Sequence, residues 1–251
     1  MNNIELEAIL NQKLSPELIK DYCPNGLQIE GGSEVKKIIT GVTASQALIE
    51  TAIEKQADAI LVHHGYFWKG EPEAIRGMKG KRVKSLIKND INLYAYHLPL
   101  DVHPELGNNA ELARLLEIKI EGGFEAGPQS VALFGTLKQP LKASEFSQRI
   151  EQALNRKPLH IAPESDKLIQ SVGWCTGGGQ DYIELAAAKG LDAFISGEIS
   201  ERTTYSAREL DIHYFAAGHH ATERYGVKAL GEWLATEHGL DVEFIDIDNP
   251  V

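Results

Sequence analysis

Apolar residues recur along this chain in short blocks, and the spacing inside each block separates strands from helices. The block 37-KIITGVTAS-45 is rich in β-branched residues and ends in small ones, which predicts a buried strand. In 46-QALIETAIEKQ-56, Leu48, Ile49, Ala52 and Ile53 fall at helical spacing, and 58-DAILV-62 returns to a short apolar strand. The segment 81-KRVKSLIKND-90 predicts a second helix with Val83, Leu86 and Ile87 on one face, and 91-INLYAYH-97 reads as the next strand. Asn109 is placed to cap the helix that follows, NAELARLLE. Strand alternating with helix predicts an α/β fold with much parallel pairing.

The later part of the chain follows the same order. The stretch 168-LIQSVGWCTGGGQ-180 parallels KIITGVTASQ, 181-DYIELAAAKGLDAFISGE-198 parallels ALIETAIEKQADAILVHH, and 208-RELDIHYFAAGH-219 parallels KNDINLYAYH. Asp58 then matches Asp192 and His97 matches His219, with the longer loop in the first half, where GYFWKGEPEAIRG lies. The pattern predicts two related α/β halves, residues 1–125 and 126–251, facing each other.

Candidate chemistry collects at the predicted strand ends, where open α/β sheets place their binding residues. In 61-LVHHGYFWKG-70 two histidines close an apolar run. Neighbours in a continuing strand point to opposite faces. His63 and His64 therefore serve one centre only if the strand has ended or the centre holds two ions. His97 and Asp101 are four apart in HLPLD, as are His219 and Glu223 in HHATE. A histidine and a carboxylate at that spacing on a helical turn point the same way, an arrangement suited to a divalent cation. Singly, each feature is ordinary: strand-end histidines are commonly hydrogen-bonded surface residues, and such pairs are commonly solvated. Together they supply three or more imidazoles and two carboxylates, more than one tetrahedral ion needs. That inventory suits two ions sharing a bridging carboxylate and leaving room for water.

Composition narrows the partners. The 251 residues are 43% hydrophobic and 24% charged, an ordinary globular balance, and the net charge is −11. An acidic chain lacks the basic footprint of a general nucleic-acid binder, although a single nucleotide remains compatible where a metal supplies positive charge. No apolar run approaches the roughly 18 residues of a membrane helix, and the acidic N-terminus does not read as a signal peptide. Cys23 and Cys175 make neither a disulfide framework nor a zinc knuckle, so a reduced cytoplasmic protein is expected, with Cys175 a small buried residue.

LVHHGYFW, the HLPLD segment followed by HPELGNN, and GHHATERYG together resemble the NIF-three-like dinuclear-metal family, whose members often carry the name GTP cyclohydrolase type II homologue. The likeness runs from 25-NGLQIEGG-32 to 244-FIDIDNP-250 and matches the short members that lack an inserted domain. It implies metal ligands at His63, His64, Asp101, His219 and Glu223. His63 and His64 would face different ions, Asp101 would bind one, Glu223 would bridge both, and His219 would complete the second ion's set from the other half, which would put the metal site between the halves. Zinc, iron, manganese and nickel all suit such donors. The resemblance also implies two α/β layers per subunit and a ring-shaped homohexamer with its metal sites facing inward.

Several residues fall outside the family's ligand set. His97 occupies the repeat position of His219 and is a candidate for orienting Asp101 or a bound water, against a plain buried histidine. Glu198, opposite His64 in the repeat, is a candidate general base, against a solvated or capping glutamate. Tyr66, Phe67 and Trp68 either wall a pocket for a flat heterocycle or pack in the core or between subunits, with packing the commoner use. Gly177, Gly178 and Gly179 match no phosphate-loop fingerprint and read as a permissive turn. His103, His160, His213 and His238 have no such context and are read as ordinary. Two function classes follow. One is a metal-dependent, redox-neutral hydrolase acting on a nucleotide or related small molecule, cyclohydrolase-like. The other is a non-enzymatic metal-binding ring that buffers metal or scaffolds a partner.

Overall fold

The computed structural model describes residues 1–127 and 130–251. The chain divides into two compact units, residues 1–100 with 226–248 and residues 101–225 with 249–251.

The first unit opens with α1 (Asn3–Leu14) and β1 (Gly26–Ile29), followed by β2 (Lys37–Thr43), α2 (Gln46–Glu54), β3 (Ala59–His64), α3 (Gly77–Lys88) and β4 (Asn92–Ala95). Its five-stranded sheet runs β1-β4-β3-β2, with the chain's last strand, Asp241–Phe244, beside β2. β2, β3 and β4 are parallel, and β1 closes the edge of β4 antiparallel. The interior of β2 and all of β4 are buried without alternation, because parallel sheets are covered on both faces. The Ser45 hydroxyl accepts from Leu48 N to cap α2, and Leu48, Ile49 and Ala52 are buried at the spacing the sequence showed. On α3 the buried stripe is Val83 and Leu86 alone. Ile87 is 58% exposed, since one residue further turns the side chain by about 100°.

Asn92, fully buried at the start of β4, ties this unit together. Its amide nitrogen donates to Gly32 O (2.8 Å) and Asp58 O (3.2 Å), while its oxygen accepts from Gly31 N (2.9 Å) and Asn3 Nδ2 (3.2 Å). Asn92→Ala strands several buried polar groups, each costing about 1–3 kcal/mol. Urea unfolding should therefore show a loss of about 3 kcal/mol, and a loss below about 1 kcal/mol would mean that the surrounding groups re-pair.

The second unit follows with α4 (Leu98–Asp101), which spans the point where the chain leaves the first unit, then α5 (Asn108–Leu116), β5 (Ile118–Gly123), β6 (Leu133–Leu141), α6 (Ala143–Leu154) and β7 (Leu159–Ile161). β8 (Ile169–Cys175), α7 (Ile183–Ala188), β9 (Ala193–Ser196), α8 (Glu201–Glu209), β10 (His213–Ala216) and α9 (His219–His238) come next, and the Asp241–Phe244 strand is then β11. The six-stranded sheet runs β5-β6-β8-β9-β10-β7. β8, β9 and β10 are parallel, and β7 lies antiparallel on β10 as β1 does on β4. The order β2-α2-β3-α3-β4 thus recurs as β8-α7-β9-α8-β10. Trp174 is fully buried in this unit's core, where the Phe146 and Phe215 rings meet edge to face at 5.3 Å.

The division differs from halves at 1–125 and 126–251. β5 pairs antiparallel with β6, which moves residues after 100 into the second unit, and β11 pairs with β2, which returns residues 226–248 to the first. Both reassignments are made by backbone pairing, which leaves no mark in side-chain periodicity. Among the described residues no helix is long and apolar enough to cross a membrane.

Candidate metal centre

Each unit carries its own set of donors at the carboxyl ends of its parallel strands. In the first, His63 and His64 are the last residues of β3, and His97 lies just past β4. β3 continues through His64, so strand geometry alone would send the two rings to opposite faces. Instead their centroids are 4.5 Å apart, and His97 lies 5.1 Å from His63 and 5.8 Å from His64. One donor atom from each of the three lies within 4.8 Å of the others. The pair therefore converges.

Backbone and carboxylate partners fix these rings. His63 Nδ1 is 3.0 Å from Tyr96 O, and because a carbonyl only accepts, Nδ1 carries the hydrogen and Nε2 the lone pair. His97 Nδ1 donates in the same way to Asp21 Oδ1 at 2.8 Å. Asp21 also accepts from Tyr22 N on Oδ1, and from Asn25 Nδ2 and Leu98 N on Oδ2, both at 2.9 Å. Burial alone would raise the Asp21 carboxyl, but the His97 and Asn25 hydrogen bonds outweigh it and hold the pKa at about 2. Asp21 is a residue that sequence reading missed. It lies 76 positions from His97 with no shared motif.

The aromatic run beside this set divides in use. Tyr66 is buried, with its hydroxyl donating to Ala44 O at 2.6 Å, and Phe67 packs against the first core. Trp68 instead sets its ring edge-on to His97 at 4.8 Å and lies 5.9 Å from His64. Cys23 lies within reach of Asp21 and His97, but burial and then the Asp21 charge push its thiol up to about 12.

In the second unit, His219 and Glu223 occupy the first turns of α9, and their spacing brings His219 Nε2 to 3.2 Å from the buried Glu223 Oε2. His219 Nδ1 is 2.8 Å from Glu198 Oε1. Burial works against charge on this ring, but Glu223 and then Glu198 outweigh it and raise its pKa to about 9. Glu198, singled out as a candidate base, thus has its carboxylate on the far nitrogen of a predicted ligand. His97–Asp21 and His219–Glu198 are the same device on matching histidines, with the carboxylates drawn from different places in the two units.

Gly177 explains the glycine run. Its φ is +61°, and a Cβ there would collide with Glu223 Oε1 and lie 3.0 Å from His219 Nε2. Its N–H donates to Thr222 Oγ1 at 3.0 Å, and its carbonyl accepts from Gly197 N at 2.9 Å. The turn makes room for the carboxylate of Glu223.

Asp101 is buried and held from α5. Asn108 Nδ2 donates to its Oδ1 at 2.8 Å and Thr176 Oγ1 at 3.4 Å. Asn109 does not cap the helix, because Gly107 holds that position. The Asn109 amide instead donates to Asp101 O and Val131 O and accepts from Thr176 N. A helix with no side-chain cap frees both asparagines to anchor the aspartate. Cys175, buried at the end of β8, has its thiol pushed far above its ordinary range by burial and then by Asp101 and Glu223.

Imidazoles with one nitrogen tied back and buried carboxylates held by N–H and O–H donors are the donor chemistry a divalent ion needs. The fold and these groups define an α/β protein with potential cation ligands at its strand ends. The Duf34/NIF3 (NGG1p interacting factor 3) family model matches residues 1–250, and the chain belongs to that family. It is 75% identical over 252 residues to a Vibrio cholerae protein named GTP cyclohydrolase 1 type 2 homolog, with 100% of both chains covered. It superposes with a TM-score of 0.97 on a solved structure described as protein ybgI, of unknown function, at 56% identity with both chains fully covered. A Thermus thermophilus crystal structure matches at a TM-score of 0.88 and 32% identity, again with both chains fully covered.

Proposed function

We propose that this protein is a cytoplasmic divalent-metal hydrolase that holds two ions per chain through His63, His64, Asp101, His219 and Glu223. Its substrate in this reading is a nucleotide or a related small molecule. The observation that carries the reading is the tying back of the imidazoles, since a ring held at Nδ1 by a carbonyl or carboxylate presents Nε2 in a fixed direction. Divalent ions in such a donor set supply Lewis acidity and an activated nucleophile from water near neutral pH. The chain's own residues do the positioning. Glu198 keeps the proton at His219 Nδ1, so that Nε2 is the ligating nitrogen, and Asp21 fixes the His97 ring beside the ligands in the same way. Asn108 and Thr176 hold one oxygen of Asp101, and Gly177 leaves the space that Glu223 fills.

The relatives' name makes GTP the first compound to try. The test is a panel of nucleotides and phosphoesters given to the purified, metal-loaded protein, beside Glu223→Ala. Turnover of one member, absent in the variant, supports the hydrolase. A protein that holds its ions but turns over nothing in the panel would be the metal-binding ring instead.

We also propose the hexameric ring. Leu185, Tyr205 and Leu210, on or next to α7 and α8, are 52%, 55% and 45% exposed, an apolar surface suited to contact between subunits. Light scattering should report about six times the 27.6 kDa subunit mass. A clean monomer at micromolar concentration would overturn it.

A further inference from the structure

The loop that leaves β3 in the first unit is held in a strained shape. Phe67 has φ +65°, left-handed backbone that a bulky side chain rarely adopts and that persists only where its surroundings impose it. Here they do. Glu71 Oε2 accepts from Phe67 N at 3.0 Å and from Trp68 N at 3.2 Å, and Lys79 Nζ stands 3.5 Å from the other oxygen of that carboxylate. Gln28 Oε1 accepts from Tyr66 N at 2.7 Å, and its Nε2 donates to Tyr66 O at 3.1 Å. Lys69 N donates to Tyr22 O at 2.6 Å. Backbone strain imposed in this way gathers at ligand clamps and active sites.

Core packing accounts for Tyr66 and Phe67, which belong to or pack against the first core. Trp68 faces elsewhere. It is half-buried, and its ring stands nearly perpendicular to that of His97 (84°) at 4.8 Å and lies 5.9 Å from that of His64, a predicted ligand. Its Nε1–H donates to Gly65 O at 3.3 Å, within the loop itself. An indole has no other donor, so what this ring can offer a ligand is its π face. Such a face stacks any flat heterocycle, because every base has a π face of its own.

We propose that Trp68 is the stacking platform for the base of a nucleotide whose phosphate end is taken by the ions at the neighbouring histidines. The proposal rests on the metal-hydrolase reading for the phosphate anchor, and on the indole alone for the base. Contact between subunits is the other use of a half-buried indole, and the test separates the two.

The probes are inosine 5′-monophosphate and ribose 5-phosphate, which differ only by the base, titrated by calorimetry into the metal-loaded protein. The wild type should bind the nucleotide about tenfold more tightly than the sugar phosphate, the effect of one base–aromatic stack. Trp68→Ala should remove that advantage and leave the affinity for the sugar phosphate unchanged. Trp68→Phe, which keeps a smaller aromatic face, should recover part of the loss. Both variants should hold wild-type metal and keep the wild-type mass in light scattering. Equal weakening of both probes, or a nucleotide indifferent to Trp68→Ala, would overturn the proposal. So would no binding of either probe by the wild type at millimolar concentration, or a variant with altered mass or metal, which would make the indole structural. In the metal-free protein, inosine at millimolar concentration should still quench the indole emission of the wild type, and should quench Trp68→Phe less. Failure of metal uptake with that quenching intact would sink the hydrolase reading alone. Metal uptake with nucleotide binding independent of Trp68 would sink the stacking platform alone.

Discussion

Glu223→Ala should lower the metal content of the loaded protein from about two ions per chain to one or none, because on the proposed ligand set this carboxylate alone serves both ions. The residue is 3% exposed, and Gly177 is bent around it at φ +61°, so alanine leaves a gap beside that turn. Elemental analysis after loading and desalting gives the answer directly. A variant that still holds two ions would exclude the bridging role. Removing the supporting carboxylate should do less: Glu198→Ala should weaken metal binding by about 10–100-fold while leaving the ligands in place. Protons compete in the same site. In the metal-free protein His219 holds its proton up to about pH 9, between Glu223 and Glu198, so an ion must displace it. Loading should therefore release protons and tighten as pH rises from 6 toward 9, and His219→Ala should remove most of that dependence.

Parts of this candidate centre could be read from the chain because some of its donors fall in close pairs. His219 and Glu223 are one helical turn apart and do meet at 3.2 Å, as the periodicity required. The alternating α/β order and the recurrence of its elements were also legible, since apolar spacing records burial. What periodicity does not record is who stands behind each donor. Asp21 reaches His97 from a loop before β1, and Asn109 resembled a helix cap in sequence yet braces Asp101 and Thr176. The glycines at 177–179 read as a loose turn, because the need for a missing Cβ arises only when α9 brings Glu223 against it. The unit boundaries were hidden for a related reason. Edge strands such as β5 and β11 are short and partly exposed, and their partners are chosen by backbone hydrogen bonds.

Chelation should abolish turnover of whichever panel member is a substrate, and zinc or manganese should restore it. The proposed ligands are imidazoles and carboxylates, with no thiolate among them. The nearby thiols of Cys23 and Cys175 are both pushed upward, the first to about 12, so neither is available as a nucleophile or a redox partner at neutral pH. On the proposed reading the chemistry then comes from bound ions acting on water, a role that zinc and manganese both fill. Loss on chelation should be complete, because on this reading only bound ions activate the water. The decisive comparison is between metals. If zinc or manganese restores activity under nitrogen as well as under air, the reaction is hydrolytic. If only iron restores it, and only with oxygen present, these same donors serve an oxidative centre and the hydrolase reading is overturned.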